Sequence, residues 1–516
     1  MMLAIPPHHR VNGGLRGQAR MNTEFPVNFS NDPMGAEKQP LRGLSDKWKA
    51  LLTVAMGTLM ATMDASITNI AFPALTRVFN AELTTVMWVS VAFLLVSTSC
   101  MLIIGKISDV VGRKRIYVVG IAVFTLGLLT CALAQSIGQL IFFRALQAVG
   151  AAMAISCGTA IVTEAFPPNQ VGKGLGSLGV SVSLGFIAGP ILGGLLLDWL
   201  DWRSIFYVRI PLGLAALLMA TLFLKKDEPQ HGEIRLDVLG TLTSSAGIFL
   251  FVFGLSQMRT HGPASFAVHL LVGLGLASLL LFVLVERRAR DPIVDPSLFK
   301  NKVFSSAIWG LFLHFVGAPS YILIIPFYLM LGLHLVPSEA GLLMATTSVT
   351  TMVFGPMSGW LSDRFGPVRF AAIGATAAAL AYVCMLGFDL QSTVGSIAPV
   401  FVLLGVGAGT FQPANNSIIM GAASRERLST ASALIATYRQ VGIAVGMAVT
   451  GTLFSAGTES FHQALTRQGI DTAYASELAI PLAFHDVLLL SIFINVMVLI
   501  LCLLPLWIKQ PKPAQG

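Results

Sequence analysis

Between residues 49 and 508 the chain turns apolar for long stretches about fourteen times over, with short polar breaks between them. Each stretch is near the length of about 20 residues that an α-helix needs to cross a bilayer. In hydrocarbon every backbone N–H and C=O must be satisfied within the segment, so stretches of this kind are built as helices. Charged residues make up only 11% of the chain and hydrophobic ones 55%, where a soluble domain carries about 25% charged. The expectation is an all-α membrane protein with about fourteen transmembrane helices.

Within that apolar frame one polar loop occurs twice. GKISDVVGRKR at 105–115 returns as GWLSDRFGPVR at 359–369, with Gly105, Asp109, Gly112 and Arg115 matched by Gly359, Asp363, Gly366 and Arg369. Gly185, Gly189 and Gly194 likewise recur as Gly442, Gly446 and Gly451. A repeat of this kind in two hydrophobic halves is the mark of a duplicated transporter. The expected organisation is a disordered cytoplasmic tail (1–46), an N-terminal six-helix bundle (47–224), a linker with two extra transmembrane helices (225–302), a C-terminal six-helix bundle (303–508) and a short cytoplasmic tail (509–516). Lys and Arg set the orientation. The breaks on one side hold only Arg77, Arg203, Arg259 and Arg467, three arginines lie inside spans, and all the others fall on the opposite side. By the positive-inside rule both termini are cytoplasmic, in a cell membrane.

The net charge of +8 therefore reads as topology, and no basic domain is left to hold nucleic acid. The five cysteines, Cys100, Cys131, Cys157, Cys384 and Cys502, lie in apolar stretches without metal or redox spacing, as small packing residues do. No G-x-x-x-x-G-K-[ST], H-E-x-x-H or G-x-S-x-G occurs, so neither ATP hydrolysis nor hydrolytic catalysis is expected. The chain reads as a non-enzyme that needs no cofactor and no metal.

Charges inside the spans are the candidate site, because intramembrane ionisable groups pair or line a wet cavity. Asp64 lies about nine residues, roughly 14 Å, from the outer end of the first span, and Arg144 lies roughly 10 Å from the outer end of the fourth. At these similar depths a pair is geometrically open, either as a proton-coupling pair or as a fixed salt bridge. Gln147, one turn from Arg144, can bond to either. Arg439 lies near the middle of the thirteenth span, as an anion contact or a partner for a carboxylate. In the loop, Asp109 can face the positive end of a neighbouring helix and latch the two bundles together, with Asp363 as its repeat. Gly105 and Gly112 permit the tight reversal, and Arg113 and Arg115 hold the loop at the cytoplasmic face. In the fifth span Gly185, Gly189, Gly193 and Gly194 permit close helix approach, and Pro190 interrupts the backbone ladder beside them.

Taken together, these motifs resemble the major facilitator superfamily, and within it the fourteen-helix drug:proton antiporter branch. The loop at 105–115 is similar to the superfamily's loop between helices 2 and 3. MDASITNIAFP (63–73), LIFFRALQAVGAA (140–152), GFIAGPILGG (185–194) and WRSIFYVRIPLG (202–213) are similar to the branch's motifs in helices 1, 4, 5 and 6. The sequence departs from the branch at Arg209, where asparagine is usual, at Ser204 and at Ala148. The resemblance implies a proton-coupled antiporter that exports hydrophobic drugs, cationic ones included, by alternating access. The alternative is a facilitator-type exporter of a metabolite, lipid or amino-acid-like compound. Its implied partners are protons, a small-molecule substrate, the lipid bilayer and, for some members, a periplasmic adaptor protein; a monomer suffices. Helix 10 offers a carboxylate only at Glu339 and helix 13 none, so divalent cations are expected to be poor substrates.

Overall fold

Fourteen helices among the described residues are long and apolar enough to span a membrane, and none of these residues lies in a β-strand. The computed structural model describes residues 45–167, 170–225, 238–258, 265–288, 296–423 and 428–507. The spans are α1 (Asp46–Ile70), α2 (Trp88–Val111), α3 (Arg113–Ala132), α4 (Ile137–Ala165), α5 (Val171–Trp199), α6 (Ser204–Phe223), α7 (Val238–Ser256), α8 (Phe266–Glu286), α9 (Lys302–Gly332), α10 (Pro337–Phe365), α11 (Pro367–Met385), α12 (Val394–Ala422), α13 (Leu428–Arg467) and α14 (Thr472–Trp507). The expected tails lie outside the described residues, as do most of the polar segments flanking α7 and α8.

Local chemistry sets several of these ends. The Ser136 side chain accepts from Gln139 N at the start of α4, Asn301 caps α9, and Thr393 with Ser396 forms a capping box on α12. Each satisfies N–H groups that a helix start leaves open. At the far end of the first half, Lys114 Nζ donates to the carbonyls of Thr221 (2.9 Å) and Leu224 (2.6 Å), filling the acceptors that α6 leaves at its C-terminus.

The repeated loop folds the same way twice. Gly112 and Gly366 sit at φ 111° and 95°, donate to Ser108 O and Ser362 O at 3.0 and 2.9 Å, and follow serines whose hydroxyls donate to Gly105 O and Gly359 O. A side chain at that φ is strained, so Gly366→Ala costs about 1–3 kcal/mol. Gly359→Ala, where a Cβ meets nothing within 4 Å, is close to neutral. Thermal unfolding in detergent separates the two.

Helix pairing follows small residues. α3 crosses α4 and α11 crosses α12 at matched glycines: a Cβ at Gly150 would lie 2.9 Å from Phe124 Cα, and one at Gly407 2.9 Å from Ala378 Cα. α7 and α8 pack on each other, and α7 leans on α2 and α13 through Trp88, Phe249 and Phe253 and through Val252, Val91, Leu95, Ala444 and Met447. The far side of α8 exposes Leu270, Leu274, Leu280 and Leu284, a surface suited to lipid.

Contacts between the first six and last six helices gather at one end. There α5 lies against α10: a Cβ on Gly194 would lie 2.8 Å from the Pro337 carbonyl carbon, and one on Gly341 2.9 Å from that of Pro190. Asp198 accepts from Ser338 N at 3.0 Å, and the beginning of α2 meets α13 at the same end. At the other end a Cβ on Gly105, Gly355, Gly359 or Gly421 would touch nothing within 4 Å.

Two features of the helices are not marked by hydropathy. The polar stretch 456–484, which separates the last two apolar stretches, is mostly helix: α13 continues to Arg467 and α14 begins at Thr472, with the reversal made at Gly469 (φ 84°). Its residues suit helix well enough to extend both spans beyond the apolar limit, with Asp471 accepting from Ala473 N at the restart. The ninth span, a single apolar stretch in the sequence, breaks after Gly317 into two short turns begun at Pro319 and Ile325 and a π-helical turn over Tyr328–Gly332. Pro319 and Pro326 cannot donate to the helical ladder, which explains the interruption.

Candidate functional site

The sequence places one aspartate on α1, and three neighbouring elements bring polar side chains to it. Arg144 on α4 donates from Nη1 to Asp64 Oδ2 at 2.6 Å and to Gln147 Oε1 at 2.9 Å. Gln147 Nε2 donates to Asp64 Oδ1 at 3.1 Å. The second carboxylate oxygen is also held by Arg209 Nη1. The branch normally has an asparagine at that position, so here a second guanidinium enters the site. All four side chains are buried, with exposures of 0–1%.

The backbone fixes both arginines. Arg144 Nε donates to Val89 O at 3.1 Å and its guanidinium lies 4.4 Å from the Phe93 ring centroid, so α2 supports it from behind. Arg209 Nε donates to Ile205 O at 2.7 Å, one turn earlier, and lies over Phe206 at 5.3 Å. α3 adds the Cys131 thiol, 3.7 Å from Gln147 Oε1, and Thr68 donates to Asp64 O at 2.8 Å. Ionised, the cluster carries one negative and two positive charges. A buried ion pair of this kind is held by geometry as much as by Coulomb attraction, and removing one partner leaves the other uncompensated.

Behind Asp64, α1 lies on α5 at the glycine motif. A Cβ at Gly185 would lie 2.9 Å from Leu59 O and Met63 N, one at Gly189 2.9 Å from Ile67 N, and one at Gly193 2.7 Å from Ile70 Cγ2. Ser66 donates to Gly185 O at 3.1 Å. These glycines therefore set how closely α5 holds the helix that carries Asp64, and Gly194 with Pro190 sets the α5–α10 crossing.

The remaining expected residues lie elsewhere. Arg439 makes no hydrogen bond or ion pair among the described residues and touches none of the Asp64 cluster. Its side chain is exposed, inside α13. Gly442 and Gly446 turn one face of α13 to α9, while Ala444, Met447 and Ala448 turn another to α2 and α7. Helical spacing places Arg439 between those faces, nearer the glycine face. Near the loop, Arg113 pairs with Glu164 at 2.5 Å, joining the start of α3 to the end of α4, and Arg115 is exposed. The side chains of Asp109 and Asp363 lie outside the described residues. The His314 ring lies against Phe411, with ring centroids 4.4 Å apart and the planes tilted by 36°. Sequence reasoning noticed Arg209 as a departure but did not bring it to Asp64. Depth alone was legible, since Arg209 lies near the same end of its span as Asp64 and Arg144 do of theirs, and depth does not fix the direction in which a side chain points.

Comparison with known proteins agrees with this architecture. The chain is 30% identical over 417 residues to the riboflavin transporter RibZ of Clostridioides difficile, covering 80% of this chain and 89% of that protein. It is 29% identical over 437 residues to the tetracenomycin C resistance and export protein of Streptomyces glaucescens, covering 82% and 79%. Among solved structures, a bacterial homologue of the lysosomal transporter Spinster has the same fold, with a TM-score of 0.64 over 92% of this chain and all of that one, at 16% identity. The model of the Major Facilitator Superfamily matches residues 54–447 and 307–515. With its duplicated loop, its fourteen spans and these relatives, the chain belongs to the Major Facilitator Superfamily of membrane transporters.

Proposed function

We propose that this transporter is a proton-coupled antiporter that exports hydrophobic small molecules across the cell membrane by alternating access. The observation that carries the reading is the buried Asp64, bound at once by Arg144, Arg209 and Gln147. A proton on Asp64 removes the charge that both guanidiniums answer to, so its arrival and departure alter the packing of α1, α4 and α6 together. That is the kind of two-state element through which proton binding can bias a conformational equilibrium. In the proposed orientation both termini are cytoplasmic, and the packed α5–α10 end faces outward. The two halves, 47–224 and 303–508, rock about that contact, with 225–302 inserted between them. The loop from Gly105 to Arg115, with Asp109 and its repeat Asp363, latches the cytoplasmic side in the opposite state. Arg439 faces the path between the halves as a substrate contact.

The tetracenomycin C resistance and export protein supports an antibiotic-like substrate. Arg209 and the riboflavin transporter support the second reading, a metabolite carrier for neutral or acidic compounds. The experiment is transport in energised inside-out vesicles. Adding a drug substrate is expected to discharge the pH gradient, and divalent cationic drugs are expected to be poor at it, because the membrane interior here offers arginines in excess of carboxylates. Discharge by dications as strong as by neutral drugs would contradict this charge preference. No response to any drug, from folded protein, would favour the metabolite carrier.

A further inference from the structure

The cluster around Asp64 contains one positive charge more than it can balance. Arg209 is fully buried, yet its Nη2 has no hydrogen-bond acceptor among the described residues. A buried guanidinium N–H without an acceptor is costly, and an uncompensated buried charge more so. Among the described residues the surroundings supply no second anion. α2 offers the Val89 carbonyl and the Phe93 ring, α3 the Cys131 thiol, and α5 meets this part of α1 with Gly185 and Gly189. α4 contributes Arg144 and Gln147, and α6 contributes Arg209 beside Phe206. Once a proton neutralises Asp64, Arg144 and Arg209 face each other's charge with no carboxylate between them.

We propose that a small monovalent anion of the chloride type binds between Arg144 and Arg209 when Asp64 is neutral, taking the place of the carboxylate. The proton then enters the site together with an anion, and both leave when Asp64 ionises again. This rests on the reading of Asp64 as the proton acceptor. Full burial of all four side chains favours a small ion, and the acidic group of a larger ligand is the other source of the same chemistry.

The test uses purified full-length protein in detergent, with chloride exchanged for gluconate at constant ionic strength, and thermal unfolding as the readout. Asp64→Asn fixes the neutral state. With chloride at about ten times its dissociation constant, the midpoint of this variant is expected to rise by about 2 °C more than that of the wild type, and Asp64→Asn/Arg209→Asn is expected to lose the effect. If Asp64→Asn does not fold, wild type and Arg209→Asn are compared as pH falls. Stabilisation by chloride should grow in the wild type and be missing in the variant. An equal chloride response in all forms, or none, overturns the proposal. Stabilisation by benzoate but not chloride overturns the small ion in favour of an acidic ligand group. None of these readouts uses transport, so their failure leaves the antiport reading intact, and failure of antiport leaves them interpretable.

Discussion

Asp64→Asn destabilises the folded protein by about 3–5 kcal/mol, the usual cost of leaving a buried charge without its partner. The cause is local. The substituted side chain presents a neutral amide to two guanidiniums that are 0–1% exposed and tied by Nε to backbone carbonyls on α2 and α6, so neither can swing out to water. Asp64→Asn/Arg209→Asn therefore unfolds at a higher temperature than Asp64→Asn alone, although it carries one more substitution. That inversion is the informative outcome. Thermal unfolding in one detergent and one buffer measures it, and simple additivity of the two losses would contradict the cluster. Arg209→Asn alone restores one carboxylate to one guanidinium and is expected to be mild.

The second large effect lies in the glycine motif of α5. Gly189→Leu must displace α1, because even a Cβ at this position would come within 2.9 Å of Ile67 N and the leucine continues into the same helix. Overpacking of a tight contact costs about 1–3 kcal/mol, occasionally more, and here the displaced segment carries Asp64. Transport in vesicles is expected to be lost while the protein still reaches the membrane. Gly179→Leu on the same helix, where a Cβ meets nothing within 4 Å, keeps activity. Equal activity of the two variants would show that the close approach of α1 and α5 is not required.

Much of this was legible in the sequence, and the reasons are physical. Lipid forces helices, so apolar length alone marked the fourteen spans. The duplicated loop was legible because its geometry needs glycine at Gly112 and Gly366, where φ is positive. The approach of Asp64 to Arg144 could be read from matching depth. Arg209 could not be brought in, because rotation about a helix axis decides whether a residue at the right depth points inward, and one arginine without a periodic context does not reveal it. Hydropathy also failed at 456–484, since it registers where lipid ends and not where a helix ends. The breaks in α9 were present as Pro319 and Pro326, but a proline within a membrane helix is compatible with a mere kink.

The most direct measurement of the central claim is a proton count. Purified protein in weakly buffered detergent, near the pH at which Asp64 loads, receives a drug that vesicle transport has identified as a substrate, and the released protons are titrated. Antiport through Asp64 predicts release of a proton fraction that rises and falls with pH and never exceeds about one per bound substrate in the wild type, and none in Asp64→Asn/Arg209→Asn that still binds the drug. Undiminished release from that variant would place the proton on another group. Binding to the wild type without any release would contradict the exchange of proton for substrate at this site.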